Sequence, residues 1–377
     1  MTHCISSVPF PRLRAFQTRA RSSLPSTLAA AIVLGGLVPS ASAQPASTFE
    51  LLIPGVYTGE HARINDHGTI VAVLESSEGQ TLWQYSDARG LEQLPVGVFD
   101  RIFGLGINNN GQVCFSSFTN GRGAAWRYDP EASLRNLGNL GYPYDDVAPY
   151  CADINDAGQV VGGAIAANGQ VRAFRADGVS PMIDLGDLGA PNSNSFAMAI
   201  RNDGMVAGDT RAINNDTHAV LFTANGVQDL GTLGGDYSTT RGMNSLGHVV
   251  GVSAIGNGRT APFLYTPESG MRAILPELNE PLSINDQDWI TGIGEDGGFV
   301  WTPQDGRVWL HSLLPTDFEG GISDPYEINN HNQVVGFGGV NGQDGVVRLT
   351  IHAVPGCTTG IATFAPMMFL AARRRRR

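Results

Sequence analysis

The chain has 377 residues, enough for one large domain or two of medium size. It carries 35 acids against 24 basic residues, every one of them arginine, for a formal net charge of −11. Lysine Schiff-base chemistry is excluded, and the acidic balance disfavours phosphate backbones and anionic lipid as partners.

Residues 1–27 are polar and hold Arg12, Arg14, Arg19 and Arg21 without an acid. An apolar run of twelve residues follows, Thr27 to Val38, and then PSASAQ, with Ala41-Ser42-Ala43 as an A-x-A site before Gln44. That order predicts a secretory signal peptide over 1–43, cut between Ala43 and Gln44. Twelve residues are too few to span a bilayer comfortably, which argues against a permanent N-terminal anchor. Setting aside 1–43 and the arginine run 373–377 leaves 15 arginines against 35 acids, a net charge of −20. Such a surface suits solubility outside the cell, with neutral glycans or cations as ligands and no nucleic acid.

The middle of the chain opens on FELLIPG, Phe49 to Gly55, a strand-like stretch. A phrase of nine residues then recurs as INDHGTIVA at Ile64, INNNGQVCF at Ile107, INDAGQVVG at Ile154 and IRNDGMVAG at Ile200. It returns as MNSLGHVVG at Met243, INDQDWITG at Ile284 and INNHNQVVG at Ile328. The seven copies stand 43, 47, 46, 43, 41 and 44 residues apart. Each is followed by an aromatic or apolar strand, from TLWQY in the first to GVVRLT in the seventh. Six are then followed by a Leu-rich strand: LEQLPVG, LRNLGNLG, IDLGDLG, QDLGTLGG, AILPELN and WLHSLLP. The seventh has none.

A period of about 40–50 residues with several short strands predicts a β-propeller. Each copy supplies a small-residue strand ending at Ile-Asn, a tight turn, a Val-Val-Gly strand, the aromatic strand, and the Leu-x-x-Leu strand outermost. Asn, Asp and Gly tolerate the left-handed backbone that the turn needs. Val-Val-Gly is apolar on both faces and belongs between neighbouring blades. A ring of blades must join its ends or leave two open sheet edges. Phe49–Pro54 is placed to supply the strand that the seventh copy lacks. The expected fold is therefore all-β, a seven-bladed propeller over 44–353 with about four strands per blade and its N-terminal strand closing the last blade. A β-solenoid is the rival, but its coils are usually shorter and its first strand need not complete its last unit.

The phrases INDAGQVVG, AFRADGVSPMIDLGDLG and AVLFTANGVQDLGTLGG resemble the HAF repeats, named for a His-Ala-Phe triplet before the third strand. Here the triplet reads His218-Ala219-Val220 and Arg172-Ala173-Phe174. The resemblance covers nearly all of the middle and is tightest over 151–252. It implies an extracellular propeller-like protein and brings no established activity.

Chemistry is sparse. His67, His248 and His331 fall in the turns of different copies, with no two at metal-ligand spacing. GIGEDG, Gly292 to Gly297, matches GxGxxG but joins two strands, with no helix to hold a phosphate. No catalytic motif is present, so no enzyme is expected. Cys114 and Cys151 could pair in an oxidising compartment, or serve as two small buried apolar side chains. The candidate ligand-binding residues lie in linkers between an outer strand and the next inner strand. They are Tyr142, Tyr144, Asp145 and Asp146 in GYPYDDVAPY, and Asp236 and Tyr237 in GGDYSTT. Such linkers fall on one rim of a propeller, where loops of several blades converge. Aromatics beside carboxylates could stack on sugars or hold Ca²⁺ through oxygen ligands; solvated turns are the plain alternative. No other cofactor is implied.

The chain closes on VPGCTTGIATFAPMMFLAARRRRR, Val354 to Arg377. The short motif Val354-Pro355-Gly356-Cys357 precedes an apolar segment within 358–372 and five arginines, which would stay cytoplasmic. This tail resembles the tripartite C-terminal sorting signals of the PEP-CTERM group in Gram-negative-type bacteria, with Val-Pro-Gly-Cys in place of Pro-Glu-Pro. Its Gly-Cys is also similar to the cysteine-bearing relatives of that signal, in which the cysteine can be modified. The resemblance implies transient membrane anchoring through 358–372, cleavage by a sorting protease, and a final place in the medium or on the cell surface.

These readings predict an exported monomeric propeller acting as a binding or scaffold module. Its partners would be the export machinery, a C-terminal sorting protease, and extracellular glycans or envelope proteins. The alternative is an extracellular polysaccharide-acting lyase or glycosidase at the channel mouth, which would need a pair of carboxyl groups facing the channel.

Overall fold

The Ile-Asn turn is built by its asparagine. In the first copy the Asn65 side-chain oxygen accepts the backbone N–H groups of His67 and Thr69, while Asn65 N–H bonds the Thr69 carbonyl. The same side-chain acceptance recurs at Asn108, Asn155, Asn244, Asn285 and Asn329. One residue of each turn must then be left-handed. Gly68, Gly111, Gly158, Gly204 and Gly247 supply it at φ between 72° and 86°. Copies six and seven lack that glycine, and Asp288 and Asn332 take its place at φ 58°.

The computed structural model describes residues 47–54, 62–131, 133–256, 258–275, 279–315 and 318–354. They form seven four-stranded antiparallel sheets, the blades of a propeller. Blades 1 to 6 span 62–93, 101–136, 150–184, 195–229, 238–273 and 280–309, each with its strands in sequence order from inside to outside. Blade 7 takes its three inner strands from 320–351 and its outermost from Ser47–Pro54, which runs antiparallel to Gln343–Ile351 with Phe49 opposite Leu349. The N-terminal strand thus closes the ring.

Seven apolar layers, one per pair of neighbouring blades, replace a single core. The second strands are their walls: Val160 and Val161, Val249 and Val250, and Val334 and Val335 are all fully buried. At the closing seam Leu52, Ile53, Val335 and Val346 of blade 7 pack on Ile64 and Ile70 of blade 1.

The glycine of Val-Val-Gly answers to the strand beside it. In blades 3 to 7 the inner strand bulges, so that Ala152, Met198, Arg241, Leu282 and Tyr326 are passed over in the pairing. Just before the bulge the inner backbone presses onto the second strand. A Cβ on Gly162, Gly208, Gly251, Gly292 or Gly336 would stand 1.8–2.4 Å from a carbonyl oxygen of the inner strand. Blade 2 has Phe115 instead, and there the bulge lies one residue earlier, at Gly104 with φ 60°.

The outer strands correct the Leu-rich reading. In blades 1 to 6 they are two to four residues long and begin ahead of the leucines, as in Gly90–Gln93, Ile183–Asp184 and Gly226–Asp229. The next leucine makes one more bond to the third strand and turns inward. Leu94, Leu137 and Leu230 bond the carbonyls of Leu82, Ala125 and Ala219 and are buried. In WLHSLLP the strand ends at Trp309, and Leu310–Leu313 forms a 3-10 turn with both leucines buried. These leucines plug the layers between blades.

Ala43, Gln44, Pro355, Gly356, Cys357 and the segment 358–372 lie outside the described residues. Val354 lies inside, buried in the layer between blades 6 and 7. Among the described residues no helix is long and apolar enough to cross a membrane.

Candidate functional site

Strand alternation puts the interblade linkers and the hairpins between second and third strands on one rim, and the Ile-Asn turns on the other. Direct pairings bear this out: Thr217 bridges to Tyr237, and Gly123 N–H bonds the Asp145 carbonyl at 2.6 Å.

On the linker rim, Tyr144 is 65% exposed and meets the half-buried Tyr142 edge to face, with ring centroids 5.4 Å apart. Asp145 Oδ2 lies 3.3 Å from Arg122 Nε, both groups largely in water, so the pair adds little stability. Asp146 is exposed beside it. Asp236 and Tyr237 sit two blades on, also exposed, with the Tyr237 carbonyl accepting Ala254 N–H. Ile213, 78% exposed, tips the hairpin whose following strand bridges to Tyr237. The six residues therefore share a rim but fall into two groups, of which the first gathers beside Arg122. Among the described residues no hydrogen bond, ion pair or ring contact joins the two groups.

The opposite rim holds two concentric rings that the sequence did not disclose. Asn65 Nδ2 donates to the Asn108 carbonyl, Asn108 to Asn155, and Asn155 to Arg201. Asn244 likewise reaches Asn285, Asn285 reaches Asn329, and Asn329 returns to Asn65 across the closing seam. One residue further on, each backbone N–H donates to the next blade's side chain: Asp66 to Asn109, Asn109 to Asp156, Asp156 to Asn202. The sequence continues with Ser245 to Asp286, Asp286 to Asn330 and Asn330 to Asp66. Carboxylates and amides nearly alternate, so Asn109 and Asn330 each donate to two aspartates. Seven is odd, and perfect alternation cannot close. Both rings lapse at the seam of blades 4 and 5, where Arg201 and Ser245 stand; among the described residues no such bond crosses it.

Three further carboxylates bind the seams. Asp153 accepts Ile200 N–H at 2.8 Å, Asp209 accepts Thr240 N–H at 2.6 Å, and Glu327 accepts Ile64 N–H at 2.7 Å, each from the next blade. They keep some accessible surface, yet protein crowds them and desolvation dominates their acidity. Burial pushes Asp153 up to about 6, and Asp209 and Glu327 up to about 7, against the opposing pull of these N–H bonds and of Arg63 or Arg241. The asparagine of the repeat and these acids were visible as letters; their partners, a full blade away in sequence, were not.

Among the described residues no group of three or more His, Cys, Asp or Glu is arranged to hold a metal ion. His248 is occupied by Asp288, at 2.7 Å. Cys114 and Cys151 are free thiols, fully buried between blades 2 and 3.

No family model and no curated protein sequence matches the chain. Solved structures do resemble it. Virginiamycin B lyase from Staphylococcus aureus is 14% identical at a TM-score of 0.52, over 81% of this chain and 99% of that one. A puromycin hydrolase S511A mutant complexed with PGG is 14% identical at 0.53, over 76% of this chain and 51% of that one. TolB from Acinetobacter baumannii is 12% identical at 0.46, over 64% of this chain and 63% of that one. The chain thus spans about half of the hydrolase and under two thirds of TolB. At such identities the likeness to the lyase and the hydrolase is one of fold, the β-propeller.

Proposed function

We propose that the chain is an exported, non-catalytic propeller that binds a neutral glycan or an envelope partner on its linker rim. The observation that carries this reading is the contrast between the rims. The Ile-Asn rim commits its amides and carboxylates to one another, whereas the linker rim offers Tyr144 to solvent beside Asp145, Asp146 and Arg122, and Tyr237 and Ile213 two blades on. Tyrosine faces next to carboxylates and a guanidinium suit a hydroxyl-rich ligand. The HAF-like repeats and the two ends, read as export and sorting signals, support a place outside the cell.

The test is thermal unfolding of the purified protein against neutral polysaccharides and Ca²⁺. A ligand of the native state raises the melting temperature. A rise that vanishes in Y142A/Y144A or Asp145→Ala supports the linker rim. A rise that survives both variants places the site elsewhere. One observation favours a polysaccharide-cleaving enzyme instead: on the inner strands burial raises Asp153 to about 6 and Glu327 to about 7. Release of reducing or unsaturated ends from a polysaccharide, abolished by D153N or E327Q, would establish that reading.

A further inference from the structure

Cys114 and Cys151 take no part in the proposed ligand site. Cys114 lies in the second strand of blade 2, Val113–Thr119, and Cys151 in the inner strand of blade 3, Tyr150–Ile154. Side-chain bonds to backbone draw the two strands together. Ser116 Oγ donates to the Pro149 carbonyl at 2.7 Å and accepts Cys151 N–H at 2.8 Å. Cys151 Sγ lies 3.4 Å from the Phe115 carbonyl oxygen, over the residue that follows Cys114. Two glycines in the inner strand of blade 2 permit this approach. A Cβ on Gly104 would stand 2.3 Å from the Cys151 carbonyl oxygen, and one on Gly106 would stand 2.9 Å from Cys114 Sγ. The two thiols are fully buried in the same apolar layer, close enough for Cys151 to help raise the Cys114 thiol above its usual pKa.

We propose that Cys114 and Cys151 form a disulfide joining blade 2 to blade 3 when the chain folds in an oxidising compartment. The oxidant is a small-molecule or protein disulfide. One cysteine thiolate attacks it, forming a mixed disulfide and releasing one thiol; the second cysteine attacks the mixed disulfide and releases the other. One S–S bond forms, one breaks, and the two cysteine protons end on the two released thiols. The exchange belongs to folding, before blade 3 docks. Once the layer closes, burial holds the Cys114 thiol well above its usual pKa, and neither oxidant nor reductant reaches it. The inference rests on the export reading only for the source of oxidant.

The test uses the full chain with C4S and C357S, so that two thiols remain. The protein is refolded in a glutathione redox buffer, acid-quenched, denatured and alkylated, and its intact mass is read. A mass two hydrogens below the reduced chain, with no alkyl group added, is expected. Two alkylated thiols on refolded protein would overturn the proposal. C114A/C151A keeps the reading sound: it should fold as the parent does, and melt several degrees below the oxidised form. The same alkylation on protein recovered from a bacterial envelope tests the compartment separately. A bond in vitro with free thiols there would count against export and leave the pair standing.

Discussion

Asn285 shows what one amide does here. Its oxygen accepts Gln287 and Trp289 N–H, and its nitrogen donates to the Asn329 carbonyl and Asn332 Oδ1. Asn285→Asp keeps the acceptor but turns the donor into a charged oxygen facing two other acceptors. A buried polar group left unpaired costs about 1–3 kcal/mol, and a charge raises that. Urea unfolding at neutral pH should lose about 3 kcal/mol; a loss below about 0.5 kcal/mol would mean that the ring contributes little. The lapse at blade 4 offers the converse. Arg201→Asn supplies the missing donor toward the Asn244 carbonyl and gives up a partly exposed pair with Asp203 and a weak contact with Met205 Sδ. A gain of about 1 kcal/mol in the same titration is expected, since surface ion pairs contribute less than a buried hydrogen bond.

Among the elements, second strands and the closing strand have the least freedom. In Gly251→Ala the new methyl would lie 2.0 Å from the Thr239 carbonyl oxygen and 2.8 Å from the Phe263 ring. Both neighbours are buried or backbone, so the cost should reach the upper end of the about 1–3 kcal/mol of overpacking, read as a lower urea midpoint. Deletion of 47–54 acts on closure. It bares the edge of Gln343–Ile351 and takes Glu50 from Arg348, which is 4% exposed and otherwise paired with Asp87. An open edge with half of a buried ion pair missing predicts oligomers in size exclusion and a broadened melt; an unchanged monomer would deny the strand its role.

At the scale of the whole molecule, stability should depend on pH in an unusual direction. Asp153, Asp209 and Glu327 have pKa values raised in the fold to about 6, 7 and 7. Unfolded, they lose their protons near 4, so between about 4 and 7 the native state binds more protons and its stability falls as pH rises. Asp129 works in the other direction. Burial alone would raise it, but bonds from Arg127 and Gln112 outweigh that and hold it low, so its contribution is lost only as pH falls below its unfolded value. Self-repulsion in an acidic protein adds to the loss at higher pH. Urea unfolding should therefore give a maximum at about pH 4–5. Asp209→Asn keeps the acceptor for Thr240 N–H and removes the ionisation, so it should gain about 2–4 kcal/mol at pH 8 and nothing at pH 4. A flat profile from pH 5 to 8 would contradict the raised values.

The number of blades, their order and the strand that closes them follow from the sequence alone. Each depends on signals that can be read along the chain: the Asn turn, the left-handed position after it, the period between copies, and one strand too few at the end. The rim that bears Tyr142, Tyr144, Asp145, Asp146, Asp236 and Tyr237 was legible for the same reason, because alternating strands assign every connection to one side. Tertiary structure alone decided the rest. The short outer strands and inward leucines follow from the layer each leucine must fill. The bulge opposite Gly162 or Gly251 is a contact between two backbones, and local residue preferences do not encode it. The amide rings, the seam acids and the division of the rim residues into two groups depend on partners a full blade away. Asn329 meets Asn65 across 264 residues, and only a closed ring brings those two positions together.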